Sequence, residues 1–159
     1  MIAGMTLSVF VHVVLSLIGI LSGFIVVLGL LANKRLVGMT HLFLATTILT
    51  SVTGFFLPAK HFMPSHALGI LSLIALMVAV VAWYSKNLAG GWRRGFAISA
   101  VIALYLNFFV LIAQSFMEVP ALHELAPTGT EGPFKIAQLV ALVIFLLLGI
   151  GAARNFRSA

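Results

Sequence analysis

The sequence of 159 residues contains no cysteine and no aspartate, and only 8% of its residues are charged. The absence of cysteine excludes disulfides, thiolate metal sites and cysteine-held iron–sulfur clusters. Apolar residues make up 62% of the chain, whereas a soluble domain is about half apolar and about a quarter charged. The composition therefore excludes a disordered chain, a nucleic-acid-binding module and most soluble enzymes, and it predicts a polytopic membrane protein.

Five apolar stretches are long enough to cross a bilayer as helices. A hydrophobic run of about 20 residues spans the hydrocarbon core. Every proline falls at or beyond the end of such a stretch, where a missing amide donor is tolerated. We therefore predict an all-α integral membrane helical bundle, with a single transmembrane domain over residues 1–159. The predicted spans cover residues 5–31, 38–57, 66–84, 95–117 and 134–153.

Basic residues are divided unequally between the two sides that five spans create. Seven of the nine Lys and Arg residues follow spans one, three and five, whereas all three Glu residues lie between spans four and five. Because cytoplasmic loops are enriched in Lys and Arg, we predict an outside N-terminus and a cytoplasmic C-terminus in a bacterial-type inner (plasma) membrane. Contact with anionic lipid headgroups explains the net charge of +6 without a nucleic-acid partner.

The first span carries a narrow stripe of polar and small residues. His12, Ser16, Gly19 and Gly23 lie on one face, because successive helical residues turn by about 100°. One interpretation is close helix packing, with His12 hydrogen-bonded to a neighbouring helix. The other is that the imidazole lies beside a groove without side chains, which would admit a flat cofactor.

Spans two to four also carry polar residues, which usually face the interior of a bundle. His41 lies near the cytoplasmic end of span two, away from the threonine-rich side of that helix, and His66 opens span three with Gly69 close to the same face. Span four carries polar residues on one face at helical spacing: Asn107, Gln114 and Glu118. Asn107 is expected near mid-membrane, where it either bonds to another helix or lines a path for protons or a quinone headgroup.

These placements resemble the core of the cytochrome b561-like superfamily. The resemblance lies in His12 with its small-residue stripe, Lys34-Arg35, Thr40-His41, Gly54 and the segment His66-Ala-Leu-Gly69. The layout is also similar to that of a family of small bacterial membrane proteins. In the superfamily, four helices supply four histidines for two haems that carry electrons across the membrane. The resemblance implies that His12 and His66 form the outer pair and that His41 is half of an inner pair.

The sequence departs from that pattern where span four begins. The partner of His41 is expected near Gly95–Ser99, and no histidine is present there. The resemblance therefore implies a haem-b-binding electron-transfer protein with one outer bis-His site, exchanging electrons with a quinone or another redox partner. The resemblance implies that His12 and His66 are axial ligands beside the small residues Gly19, Gly23 and Gly69. In such a haem protein, Asn107 and Gln114 on span four are candidates for hydrogen bonds to the haem propionates or to a quinone.

Two other interpretations of the same residues stay open. In the first, the chain is a cofactor-free structural or accessory membrane protein, which packs through its small-residue stripes and associates with itself or a partner through Gly19 and Gly23. In the second, imidazoles and carboxylates hold zinc, copper or iron at the outer face. The candidate ligands are His61, His66, His123, Glu118 and Glu124. No Gly-x-Ser-x-Gly or His-Glu-x-x-His motif supports hydrolytic catalysis, and whether the protein is an enzyme is left open.

Overall fold

The computed structural model describes residues 7–55, 64–118, 120–125 and 132–156. These residues form helices and short turns, with no strand among them. The helices are α1 (Leu7–Leu31), α2 (Val37–Gly54), α3 (Pro64–Val80), α4 (Trp92–Glu118), α5 (Pro120–Leu125) and α6 (Gly132–Asn155). A π-helical segment, Val81–Ser85, continues α3.

Five of these helices are long and apolar enough to cross a membrane. They coincide with the five predicted spans to within a few residues, so the prediction of an all-α fold with five helices able to span a membrane is confirmed for the described residues. Helix α2 ends at Gly54, before the predicted end of the second span at Leu57. Leu57 itself lies outside the described residues. A short helix, α5, follows α4 and contains Glu124. The π-helical turn was not predicted.

Backbone hydrogen bonds close the turn between α1 and α2. Asn33 has a φ of 55°, a left-handed conformation that asparagine tolerates better than most residues. The amide of Lys34 donates to the carbonyl of Gly29 at 2.7 Å, and the amide of Asn33 donates to that of Leu30 at 3.0 Å. This Schellman arrangement satisfies the last carbonyls of α1, and it places Lys34 and Arg35 directly at the end of the bundle.

The helices pack around α1 and α4. Helix α1 packs most extensively on α2 and also contacts α4 and α6, whereas α3 packs on α2 and α4. The largest fully buried side chains in this core include Leu30, Phe43, Leu76, Phe96 and Leu104. Helix α6 lies at the periphery, since 22% of its span is buried against 44% for α1 and for α4. Its exposed face is rich in Leu, Ile and Val, the composition of a surface that contacts lipid.

Candidate functional site

The structure describes only part of the site expected from the sequence. The backbone of His66 lies in α3, but its side chain and those of Gln114, Glu118 and His123 fall outside the described part, as does all of His61. The His12–His66 pair therefore stays a prediction. Glu124 is exposed on α5. Among the described residues, no three potential metal-binding side chains come together, and the outer metal site also stays a prediction.

His12 is held by the last turns of α2. Its Nδ1 lies 2.9 Å from Oγ1 of Thr53, and the Thr53 hydroxyl donates its own proton to the carbonyl of Leu49 at 2.7 Å. The hydroxyl oxygen is thus left to accept, so this geometry favours a His12 imidazole that donates from Nδ1 and carries a lone pair on Nε2. His12 therefore links α1 to α2 through Nδ1. Its Nε2 atom is the nitrogen that could bind a metal ion.

The His12 ring lies beside Gly54 at the end of α2. A Cβ atom placed on Gly54 would lie 3.4 Å from Cε1 of His12, which is close to ordinary van der Waals contact. The imidazole therefore packs over a residue without a side chain, immediately after the threonine that orients it. Both His12 and Gly54 belong to the pattern that resembles the cytochrome b561-like superfamily, and the fold brings these two residues together.

The glycine stripe of α1 is covered by side chains of the same chain. A Cβ on Gly19 would lie 2.9 Å from Oγ1 of Thr47 and 3.4 Å from Nδ2 of Asn107. A Cβ on Gly23 would lie 2.7 Å from Cδ1 of Leu104 and 2.9 Å from Cε1 of Phe43. The predicted groove is thus filled by α2 and α4. This surface is used for internal packing, and it is not free to meet a second copy of the chain.

Asn107 joins α4 to α1 within this packed region. Its Oδ1 accepts a hydrogen bond from the Ser16 hydroxyl at 2.8 Å, and its Nδ2 donates to the Ser16 carbonyl at 3.4 Å. Asn107 is 8% exposed, so the pair is largely withdrawn from the lipid. Nearby, Thr47 Oγ1 is buried and has no hydrogen-bond partner among the described residues. We call His12, Ser16, Thr47, Thr53 and Asn107 the polar seam.

The remaining polar residues of α2 bond mostly within the bundle. Thr46 and Thr50 donate to the carbonyls of Leu42 and Thr46, each at 2.7 Å, which is the back-bonding that threonine makes in apolar helices. The Ser51 hydroxyl donates to that of Ser72 at 3.2 Å and links α2 to α3. A Cβ on Gly69 would lie 3.1 Å from two ring carbons of Phe55, so this glycine also permits close helix contact.

His41 has a partner that the sequence analysis missed. Its Nδ1 is hydrogen-bonded to the hydroxyl of Tyr84, and its ring centroid lies 6.3 Å from that of Trp83 in an edge-on arrangement. Both aromatic residues belong to the π-helical segment, a distortion often found at functional positions. The only signal in the sequence was that His41 and Tyr84 lie near the same membrane surface. Tyrosine is common at such surfaces, so that signal was not specific.

No protein-family model, no curated protein and no solved structure matches this chain. The resemblance to the cytochrome b561-like superfamily therefore stays a prediction. A functional proposal for this protein depends on the geometry of its own residues.

Proposed function

We propose that this chain is a cofactor-free accessory protein of a bacterial-type inner membrane. The observation that carries the proposal is the filled glycine stripe, where Thr47, Asn107, Leu104 and Phe43 occupy the space beside Gly19 and Gly23. Small residues that let side chains and backbones approach closely are the usual means of helix packing in lipid. The stripe thus supports a role in holding α1 against α2 and α4.

The hydrogen bonds of the polar seam support the same function. Polar groups in a hydrocarbon environment are costly unless they are paired. His12 bonds to Thr53 and Ser16 bonds to Asn107, so each of these side chains has a hydrogen-bond partner within the bundle. Asn107, a candidate from the sequence for hydrogen bonds to haem propionates or a quinone, accepts a hydrogen bond from Ser16 through its Oδ1. In this proposal the N-terminus lies outside and the C-terminus in the cytoplasm, as the distribution of Lys and Arg favours.

A second candidate function is electron transfer through one outer haem b. The observation in its favour is the contact between Nδ1 of His12 and the Thr53 hydroxyl, a geometry that favours a lone pair on Nε2. A metal-binding histidine commonly has its other nitrogen fixed in this manner. Haem would supply one-electron chemistry, with His12 and His66 as ligands and a quinone or redox protein as partner. The donor atom of His12 fits this group, but the filled space beside Gly19 and Gly23 does not fit a porphyrin face.

The visible absorption spectrum distinguishes the two candidates. The full chain is expressed with added haem precursor, purified in detergent and shown by circular dichroism to be helical. We expect no Soret band in this folded protein. A Soret band that shifts on reduction and is lost in His12→Ala and His66→Ala, but is kept in His41→Ala, would overturn the accessory role and establish the haem site.

Elemental analysis of the same preparation tests the outer metal site. For a cofactor-free accessory protein we expect no stoichiometric zinc, copper or iron. One equivalent of metal that is lost in His61→Ala and His123→Ala would instead assign this chemistry to the outer face.

A further inference from the structure

One end of the bundle collects positive charge, and no acidic side chain lies there among the described residues. Helix α1 ends there, α2 and α4 begin there, and Asn155 at the end of α6 donates to the carbonyl of Leu31 at 3.0 Å. The basic residues of this end, which we call the basic end, are Lys34, Arg35, Lys86, Arg93, Arg94 and Arg154. All three Glu residues of the sequence lie between positions 118 and 131. Glu118 is the last residue of α4, a helix of 27 residues and hence about 40 Å long.

Two arginines at the basic end lie over the faces of aromatic rings. The guanidinium carbon of Arg35 is 4.9 Å from the ring centroid of Trp83, and that of Arg93 is 4.2 Å from the ring of Phe156. The two rings are connected through Phe96, whose centroid is 5.1 Å from Trp83 and 6.3 Å from Phe156. Stacking on a ring holds the plane of a guanidinium while leaving its N–H edges available to an acceptor.

The aromatic rings beneath these arginines form a buried apolar surface, which we call the aromatic floor. Trp83 is 5% exposed, Phe96 is fully buried and Phe156 is 2% exposed. Arg35 and Arg93 therefore lie over the two outer rings of one continuous row of aromatic contacts. The buried Nε of Arg93 meets no hydrogen-bond acceptor in the described part of the chain. Two positive guanidinium groups held on the same apolar surface are unfavourable. An anion bound to both arginines would neutralise their charge and remove this unfavourable energy.

The surroundings of the arginine pair match the level of lipid headgroups. Tyr84 and Trp92 are partly exposed, and Lys86 lies 5.7 Å from the ring of Trp92. Aromatic and basic residues of this kind concentrate where the membrane meets water. Helices α2 and α4 both begin here with no acidic residue in their first turns, so the positive ends of two helix dipoles add to the field.

We propose that Arg35 and Arg93 form a binding site for the phosphate group of an anionic phospholipid. A phosphate bound at this surface would accept hydrogen bonds from the terminal N–H groups of both arginines. Its acyl chains would then lie along the exposed apolar helices. The site involves none of the residues of the polar seam. The result of a lipid-binding test therefore does not depend on whether the protein binds haem.

The two tryptophans of the chain provide a built-in reporter of this site. Both Trp83 and Trp92 lie at the basic end, so lipids with brominated acyl chains quench their fluorescence when bound nearby. The full chain is reconstituted in phosphatidylcholine vesicles that contain increasing brominated phosphatidylglycerol or, separately, brominated phosphatidylcholine. We expect saturable quenching at a low fraction of phosphatidylglycerol, and only the gradual quenching of a random mixture with phosphatidylcholine.

Charge-neutral variants test which arginines hold the lipid. Arg35→Gln and Arg93→Gln each lower the apparent affinity for phosphatidylglycerol by about tenfold or more, because each loses charge-assisted hydrogen bonds. The matched control Arg94→Gln removes the same charge from the neighbouring exposed position and lowers the affinity by about fivefold or less, the effect of one basic residue near an anionic surface. Arg93→Lys, which keeps the charge and protects folding, retains part of the preference.

Three results would overturn the proposal. The first is equal quenching by the two brominated lipids in the unmodified protein. The second is an equal loss in Arg35→Gln, Arg93→Gln and Arg94→Gln, which would indicate only diffuse attraction. The third comes from titrating inorganic phosphate into lipid-free detergent solution: a saturable change in tryptophan emission that Arg93→Gln abolishes, without a lipid preference in vesicles, would assign the site to free phosphate.

Discussion

The polar seam and the basic end use polar residues in opposite ways. In the seam, neutral side chains of α1, α2 and α4 bond mainly to one another, as in the Ser16–Asn107 pair. At the basic end, Arg35 and Arg93 lie on aromatic rings, and no acidic side chain accompanies them in the part of the chain that the structure describes. The difference follows from the surroundings, because an unpaired charge in hydrocarbon is prohibitive, whereas at the interface lipid headgroups can supply the opposite charge.

The largest effect is expected where the seam depends on close packing. Gly23→Ala places a methyl group 2.7 Å from Leu104 Cδ1 and 2.9 Å from Phe43 Cε1, and overpacking of this kind costs about 1–3 kcal/mol. Gly38→Ala is the control, since nothing lies within 4 Å of that position, and it leaves stability unchanged or slightly higher. Unfolding of both variants in mixed micelles measures the difference. Equal stability of the two variants would show that the glycine stripe is not a packing surface.

A smaller effect is expected from the hydrogen bond at the centre of the seam. Asn107→Leu removes the acceptor of Ser16 and destabilises the bundle by about 1–2 kcal/mol. In a double-mutant cycle with Ser16→Ala, the coupling energy should be about 0.6 kcal/mol and at most about 1.7 kcal/mol, the range for pairs within membranes. If the losses of unfolding free energy in the two single variants simply add, Ser16 and Asn107 do not interact. The polar seam would then lack the internal hydrogen bonding that distinguishes it from the basic end.

The smallest effect is expected at the exposed hydrogen bond between His41 and Tyr84. Tyr84→Phe removes one hydroxyl from a surface position and lowers stability by about 0.5 kcal/mol. Tyr105→Phe removes a hydroxyl from a tyrosine whose ring packs on Phe109 and Phe145, and it serves as the comparison. The same unfolding assay is used for both. A loss well above that of a single surface hydrogen bond would mean that this end, too, depends on internal pairing.

The spans were predictable because each depends on local composition. The runs that become α1, α3 and α6 need only about 20 apolar residues to be recognised, and the prolines marked where they stop. The placement of His12, Ser16, Gly19 and Gly23 on one face also follows from helical periodicity alone. Asn107 was expected inside the bundle, and its burial at 8% exposure agrees with that expectation.

The hydrogen-bond partners of the polar residues were less predictable, since each polar residue has several possible partners on other helices. The bond between His12 and Thr53 joins residues 41 positions apart, and that between Ser16 and Asn107 joins residues 91 positions apart. Periodicity on each helix fixes a face but not the rotation of one helix against another. The π-helical segment was missed for a related reason: no proline or glycine in Val81–Ser85 marks it, and its pattern is that of an ordinary apolar helix.

The sequence by itself determined that this protein is helical, that it has five segments able to cross a membrane, and that its acidic and basic residues lie in separate parts of the chain. These properties depend on residues that are close in sequence. Only the tertiary structure decided that α2 and α4 fill the glycine stripe, that Thr53 orients His12 and that two arginines share an aromatic floor. Each of these depends on how helices distant in sequence pack, because side-chain volume and hydrogen-bond geometry select among faces that composition alone leaves equivalent.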